Sequence, residues 1–310
     1  MSAVADTLVD GGVIEAGSLD KKVVESGLKN LTRSADGDGV VYVELDVSGK
    51  QLSNISVLSF FPLIQKLDVS HNDLTTLSSL SSLRNLIYLN ASHNVLTKVL
   101  DFNAPPHLLE VDLSDNNIKK IEGVNGNKYL RKLSLAGNDL THIDGLKGLR
   151  SLYHLDLARN KISHISNLDG LPLKTLDLSS NQIEKVQNLD SVTTLLDVNL
   201  SRNCIRHLTG FEHLPVLFKL TLKNNLIESI DELAYIQSLP FLCELDLSEN
   251  PVMINSDQAV WRIVFRLRRL RQLNGEEVTA EEKVKAENFH LGQPWEREGN
   301  YFPEEESGEF

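Results

Sequence analysis

Leu67-Asp68-Val69-Ser70-His71-Asn72-Asp73-Leu74 is one of nine stretches of this chain that share a single form. In each stretch, apolar residues stand five and three positions before an asparagine and two positions after it. The nine asparagines follow one another at intervals of 21, 22 or 25 residues and are Asn72, Asn94, Asn116, Asn138, Asn160, Asn181, Asn203, Asn225 and Asn250. Such regular self-similarity predicts one structural unit that stacks on copies of itself.

The apolar residues before each asparagine alternate with polar ones, which predicts a short strand with one buried face. Between strands, apolar residues recur at every third position, which favours extended or 3₁₀ turns over a long helix. An asparagine amide both donates and accepts hydrogen bonds, so we expect it to satisfy backbone groups of its own coil and of a neighbouring coil. A tenth, incomplete copy has Lys50 in place of the asparagine.

This pattern is the leucine-rich repeat signature, and the 22-residue period resembles the short-repeat intracellular class. The sequence therefore predicts an α/β leucine-rich repeat solenoid of about ten repeats over residues 40–252. We expect a parallel β-sheet on the concave face, 3₁₀ or irregular structure on the convex side, and helical caps. Without caps, a solenoid would expose an unpaired strand and apolar core residues to solvent at each end.

The ends of the chain predict four further segments. Residues 1–17 form an acidic extension, and 18–39 form a capping helix with Ser18 as its N-cap, followed by a turn at 36–39. Leu28 and Leu31 are assigned to that helix because their spacing is near-helical. Residues 253–287 form a C-terminal cap with a helix at about 256–270. Residues 288–310 are polar and acidic, and we expect a disordered or extended tail.

The net charge of −12 comes from the two ends. Residues 1–20 contribute −4 and residues 276–310 contribute −8, so the body between them is neutral. A neutral body disfavours nucleic-acid binding. No apolar run is long enough to cross a membrane, and the first residues lack the features of a signal peptide. Two cysteines, with no cysteine-rich caps, predict a reducing, cytosolic-type compartment.

The strand side chains that point away from the core are expected to line the concave face in three columns, at six, four and two positions before each asparagine. The six-before column varies most in size and charge. Because aromatic and long cationic side chains carry most interface energy, we predict partner binding at Tyr88, Lys132, His154 and Lys219. The other interpretation is that they are ordinary solvated strand residues.

A second candidate surface lies in the C-terminal cap and tail. Arg262, Arg266 and Arg269 fall on one stripe of the expected helix, which is either a solvated cap face or a docking patch for an acidic partner such as a tubulin tail. Trp295, Tyr301 and Phe302 are isolated aromatics in the acidic tail. We predict that they anchor on a neighbouring surface, either the solenoid itself or a partner.

No phosphate-binding loop, zinc-protease motif or paired C-x-x-C occurs in the chain. His71, His93 and Asp115 align just before successive asparagines, but the polarity of a turn explains them better than a metal site does. We therefore expect no catalysis, no cofactor, no metal and no small-molecule substrate.

The flanks and one irregular repeat narrow the resemblance. Residues 19–31 (LDKKVVESGLKNL) with 40–58 resemble the start of the radial-spoke leucine-rich repeat protein of motile cilia. Residues 90–118, which include Pro105-Pro106, and residues 261–288 resemble the repeat half of the leucine-rich repeat guanylate kinase, without the kinase.

This resemblance implies a non-enzymatic scaffold of the cilium or flagellum axoneme, at or near a radial spoke, that binds other axonemal proteins. The alternative is a regulatory subunit of a protein phosphatase in the nucleus or cytosol, because the 22-residue repeats also resemble the nuclear phosphatase-binding solenoid.

Overall fold

A single β-sheet in the described part of the chain takes one short strand from each repeat. The computed structural model describes residues 16–33, 40–254 and 258–292. The strands are β1 (Leu28–Arg33), β2 (Val40–Asp46), β3 (Lys66–Asp68), β4 (Tyr88–Asn90), β5 (Glu110–Asp112), β6 (Lys132–Ser134), β7 (His154–Asp156), β8 (Thr175–Asp177), β9 (Asp197–Asn199), β10 (Lys219–Thr221), β11 (Glu244–Asp246), β12 (Gln272–Leu273) and β13 (Glu276–Glu277). They pair in chain order, and β2 to β12 are parallel. The predicted solenoid is confirmed.

Each short strand buries its middle residue and turns its two outer residues towards solvent. In β6, for example, Leu133 is fully buried between Lys132 and Ser134. Because every coil repeats this pattern, the buried leucines, isoleucines and valines form one continuous core behind the sheet. Each fully buried side chain of this kind contributes roughly 1.5–3 kcal/mol to folding.

In the part of the chain that the structure describes, the convex side consists of turns and three short 3₁₀ helices, as the third-position spacing predicted. These helices are Ser56–Phe60, Ser78–Ser82 and Ile230–Tyr235. The third occupies the longer interval between Asn225 and Asn250, so the extra residues of that repeat are accommodated outside the sheet.

The asparagines bind backbone groups of two coils. Asn160 Nδ2 donates to the carbonyls of Leu157 and Ala158 in its own coil and to that of Leu135 in the preceding coil, and its Oδ1 accepts from the N–H of Leu140. All nine asparagines make this set of bonds. In the first coil, the backbone N–H of Lys50 donates to Asn72 Oδ1 at 3.0 Å. The predicted structural role of the asparagines is confirmed.

The N-terminal cap differs from the prediction in two respects. Helix α1 spans Lys21–Gly27, and its N-cap is Asp20 rather than Ser18, because the Asp20 carboxylate accepts from the N–H of Val23 at 2.8 Å. Leu28 and Leu31 belong to β1, not to the helix. Strand β1 pairs antiparallel with β2 and so satisfies the backbone groups at this edge of the sheet. The turn expected at 36–39 lies outside the described residues.

The C-terminal cap contains more elements than the single helix expected at 256–270. Helix α2 (Pro251–Ile254) follows Asn250, and α3 covers only Ala259–Arg266. The chain then returns to the sheet, where β12 pairs with β11 and gives its exposed edge a partner. The side-chain Oδ1 of Asn274 accepts from the N–H of Leu247 at 2.8 Å. In the preceding coil, the equivalent N–H group, that of Leu222, donates to a backbone carbonyl, that of Asp246. The Asn274 side chain therefore takes the place of a backbone acceptor at the end of the solenoid.

A further helix, α4 (Ala280–Leu291), packs against α3. It begins with a capping box between Thr279 and Glu282, which satisfies backbone N–H groups of its first turn. The expected extended or disordered tail from 288 is therefore wrong for its first residues, which continue the helix to Leu291. Residues 293–310 lie outside the described residues.

Candidate functional site

The register of the sheet places the four predicted binding residues of the concave face in one column. Tyr88 stands beside Glu110, and Lys132 stands between Glu110 and His154. Lys219 stands between Asp197 and Glu244. Their shared column is therefore confirmed, and their role in binding stays a prediction.

The lysines of this column lie next to acids of neighbouring coils. Lys132 Nζ is 3.2 Å from Glu110, and Lys219 Nζ is 3.9 Å from Glu244. Lys66 pairs with Glu44 in the same way at 2.5 Å. Such exposed pairs add little to stability, but they hold long side chains across the strands. The column thus presents ion pairs rather than isolated cations.

Tyr88 and His154 are half-buried between these ion pairs. The pKa of the Tyr88 hydroxyl is raised, chiefly by burial and then by the nearby carboxylates of Asp68 and Asp112. His154 Nδ1 forms a short hydrogen bond with the hydroxyl of Thr175. Neighbouring strands therefore hold both rings in place on the concave face.

The column at four positions before each asparagine is rich in aspartate. Asp112 Oδ1 accepts from the N–H and the hydroxyl of Ser114 at 2.9 and 2.7 Å, and this bond to the serine two residues later recurs in other coils. Asn199 Nδ2 donates to Asp177 Oδ2 at 2.8 Å. These bonds orient the carboxylates without neutralising them.

The pKa values of the carboxyl groups shift in opposite directions along the concave face. Lys29 donates to Asp46, and with the bonds from Ser48 this lowers the pKa of that carboxyl to about 2. Burial instead raises the pKa of Asp156, and of Asp197 in the neighbouring six-before column. The middle and C-terminal part of the face therefore concentrates negative charge that is partly removed from water.

An exposed apolar cluster borders this acidic part of the face. Leu196 and Phe218 directly precede β9 and β10, and Val216 and Phe241 lie in the turns that lead into β10 and β11. The side chains of Leu196, Phe218 and Phe241 are 41%, 37% and 58% exposed. We call these four residues the apolar groove.

The three columns predicted from the sequence do not include the apolar groove, because its residues lie just outside them. A signal was present at seven positions before the asparagine. That position holds Leu196 and Phe218 in two successive later coils, whereas apolar and polar residues alternate irregularly there in earlier coils (Gln65, Ile87, Leu109, Arg131, Tyr153 and Lys174).

The three arginines do not form one helical stripe. Helix α3 ends at Arg266, so Arg269 lies in the following turn. Arg266 donates to the carbonyl of Ile230 at 3.0 Å and to Asp231 at 2.8 Å, whereas Arg262 lies exposed on the helix. Arg266 therefore joins α3 to the last 3₁₀ helix.

The neighbouring part of the cap involves Arg268 and α4. The guanidinium of Arg268 lies 5.1 Å from the centre of the Phe265 ring, on which His290 stacks at 3.6 Å. Burial, followed by the nearby arginines, lowers the pKa of His290. The other predicted anchors, Trp295, Tyr301 and Phe302, lie outside the described residues.

The residues just before the asparagines form a further polar row at the bends. His71 stacks on His93 with ring centres 4.1 Å apart, and His93 Nε2 lies 3.4 Å from Asp115 Oδ2. Across residues 16–33, 40–254 and 258–292, no group of three or more His, Cys, Asp or Glu side chains is arranged to hold a metal ion. In the same residues, no helix has both the length and the apolar character to cross a bilayer.

Parts of this chain match models of leucine-rich repeats and solved structures that contain them. A leucine-rich repeat family model matches residues 150–297, and a second one matches residues 104–120. An internalin of Listeria monocytogenes is 20% identical with a TM-score of 0.57, over 82% of this chain and 88% of the internalin. Internalin C2 of the same bacterium is 25% identical with a TM-score of 0.51, over 69% of this chain and 82% of the internalin C2 chain. No curated protein matches the chain in sequence. The asparagine bonds, the parallel sheet and these matches together show that the chain has a leucine-rich repeat fold.

Proposed function

We propose that this chain is a non-enzymatic scaffold that binds another protein on its concave face. Leucine-rich repeat proteins generally act in protein–protein interaction and are typically non-enzymatic. The observation that carries the proposal is the concave column itself: large, varied side chains, including Tyr88 and His154, held in register on a continuous sheet. A preorganised surface loses little conformational entropy when a partner binds.

The proposed setting is the axoneme of a motile cilium or flagellum, at or near a radial spoke. Its support is the resemblance of residues 19–31 and 40–58 to the radial-spoke protein, and of 90–118 and 261–288 to the repeat half of the guanylate kinase. Partners would be other axonemal proteins, with tubulin as a candidate for the arginines of the cap.

A tagged copy expressed in a flagellated cell tests this proposal. We expect it to localise to the axoneme and to resist extraction from salt-washed axonemes. A diffuse cytosolic or nuclear copy would contradict the axonemal setting. Recovery of a phosphatase catalytic subunit as the main partner would favour the alternative, a phosphatase regulatory subunit.

Substitution of the concave column tests which face binds. A variant with Tyr88, Lys132, His154 and Lys219 all changed to alanine should lose its partner, because these side chains lie in the proposed contact surface. The matched control changes four exposed residues outside the sheet, Lys98, Glu122, Lys147 and Lys185. Equal retention of the partner by both variants would refute binding through this column.

A further inference from the structure

The apolar groove is a continuous surface feature of the C-terminal half of the concave side. Leu196 and Phe218 are joined through their backbones, because the N–H of Phe218 donates to the carbonyl of Leu196 at 2.9 Å. With Val216 and Phe241 they line a shallow groove of about 540 Å³. Apolar side chains gathered at the solvent side of a sheet are typical of a surface that a partner covers.

The groove is not an extension of the core. The residues next in sequence to its members, such as Leu195, Leu217 and Leu242, are fully or almost fully buried. Alternation along the chain therefore turns Leu196, Phe218 and Phe241 towards solvent. They can be replaced without opening a cavity in the core.

Acidic side chains border the groove. Asp197, Lys219 and Glu244 line it, and Asp197 and Lys219 also line an adjoining polar depression that contains Asp177 and His154. Three carboxylates thus share the joined surface with one lysine, which lies 3.9 Å from Glu244. Burial raises the pKa of Asp197, consistent with a carboxylate that lacks full solvation.

We propose that the apolar groove and its acidic border bind a segment of a partner protein in which aliphatic or aromatic residues stand next to lysine or arginine. The apolar residues fill the groove, and the cations lie over Asp177 and Asp197. This inference rests on the proposed scaffold function and identifies the chemistry of the partner. Charge complementarity selects this occupant, because opposite charges across an interface favour association and like charges disfavour it.

Charge complementarity also disfavours the chain's own C-terminal residues as the occupant of the groove. Residues 293–310 contain Trp295, Tyr301 and Phe302, but they carry six glutamates and one arginine. Binding them would bring a strongly acidic segment against an acidic surface. A basic partner removes this repulsion.

Selection from a phage-displayed library of random 15-residue peptides on the full chain tests the proposal. We expect enriched peptides to combine aliphatic or aromatic residues with lysine or arginine. The affinity of a synthetic copy should then be measured on three variants by fluorescence anisotropy. The groove pair, Phe218→Ser with Phe241→Ser, removes the apolar anchors. The acidic pair, Asp177→Asn with Asp197→Asn, removes the negative charge. Phe60→Ser is the control, since Phe60 is as exposed as Phe241 but lies on a 3₁₀ helix outside the sheet.

The groove pair and the acidic pair should each weaken binding about tenfold or more, as loss of central interface residues does, and the control should leave it unchanged. Added salt should weaken binding to the wild type and have less effect on the Asp177→Asn, Asp197→Asn variant. Enrichment of acidic or uncharged peptides, no enrichment, or equal affinity for the groove pair and the wild type would overturn the proposal. Binding that occurs only after removal of residues 293–310 would also overturn it, since it would identify the chain's own tail as the occupant.

Failure of the groove proposal can be distinguished from failure of the scaffold proposal. A groove variant that keeps the cellular partner, while the concave-column variant loses it, rejects the groove and leaves the scaffold function intact. Melting temperatures of all variants show whether any loss of binding reflects unfolding.

Discussion

Asp115 and Arg159 form a bidentate ion pair across the bends of the solenoid, although they are 44 residues apart in sequence. Arg159 donates to the two carboxylate oxygens at 2.7 and 3.0 Å. The bend of the intervening coil is occupied by Gly137, where an added Cβ would lie 2.2 Å from Asp115 Oδ1. The ion pair spans two coils because the residue between its partners has no side chain.

Gly137→Ala should destabilise the protein more than Gly49→Ala. Both glycines hold the same bend position with φ near +64°, so each substitution carries the same left-handed backbone cost of about 1 kcal/mol. Only at Gly137 does the new methyl group also displace Asp115 from Arg159, which adds up to about 1 kcal/mol. Nothing lies within 4 Å of the Cβ position at Gly49.

Urea denaturation of the two glycine variants provides the measurement. Equal losses in the free energy of unfolding would show that the ion pair contributes nothing. Adding Asp115→Asn to both variants should remove most of the difference between them.

Asn160→Leu should lower the free energy of unfolding by roughly 1–3 kcal/mol or more, because it leaves buried backbone groups of two coils without partners. Asn160 is 7% exposed and bonds to Leu135, Leu140, Leu157 and Ala158. Asn103→Leu is the control, since Asn103 is exposed in the segment between β4 and β5. A thermal melt of Asn160→Leu that matches the control would contradict the structural role of the asparagines.

Asp156→Asn should stabilise the protein at pH 7. Burial raises the folded-state pKa of Asp156, so its ionised form costs folding energy above that pKa. The gap between variant and wild type should therefore close as the pH falls through the raised pKa towards the unfolded value of about 3.9. The measurement is urea denaturation across this pH range.

Asp46→Asn supplies a control of opposite sign. The pKa of Asp46 is lowered to about 2, so its carboxylate stabilises the fold above the unfolded value, and that contribution disappears as the pH falls from about 4 towards 2. This variant should be less stable than the wild type at pH 7. If both variants shift stability in the same direction at pH 7, the electrostatic description of the face is wrong. A stabilising Asp156→Asn would fit a residue kept for binding rather than for stability.

Arg266→Gln should destabilise the C-terminal cap, whereas Arg262→Gln should not. Arg266 loses its bonds to Ile230 and Asp231, while Arg262 is exposed on the same helix. Hydrogen exchange in α3 reports the local change, which should be faster only in Arg266→Gln. Faster exchange in both variants would contradict this assignment.

Microtubule co-sedimentation of Arg262→Gln with Arg269→Gln tests the tubulin hypothesis separately from cap stability. Loss of co-sedimentation by this stable variant would support docking through the arginines. Unchanged co-sedimentation would reject it.

The repeat period made most of the fold predictable. Asn72 and its eight counterparts specify a coil that contacts only its neighbours, so position relative to the asparagine was enough to place Tyr88, Lys132, His154 and Lys219 in one column. The caps were less predictable, because no repeat constrains them. Leu28 had helical spacing, yet it joins β1 because the open edge of β2 needs a partner.

The candidate site was predictable only in part. A column is a property of the strand period, and the strand period is visible in sequence. The apolar groove instead brings together Val216 and Phe241 from turns with Leu196 and Phe218 from strand ends. Neighbouring coils bring these residues together, and no single repeat contains the groove.

Site-specific photo-crosslinking tests most directly whether this face binds the partner. A photoreactive amino acid replaces either Phe218 on the concave side or Phe60 on the 3₁₀ helix outside the sheet, and the full chain is irradiated with the partner retained in the pull-down. We expect a crosslink from position 218 that disappears in the Asp177→Asn, Asp197→Asn background, and none from position 60. A crosslink from position 60 alone, or one from position 218 that is indifferent to the two aspartates, would contradict this expectation.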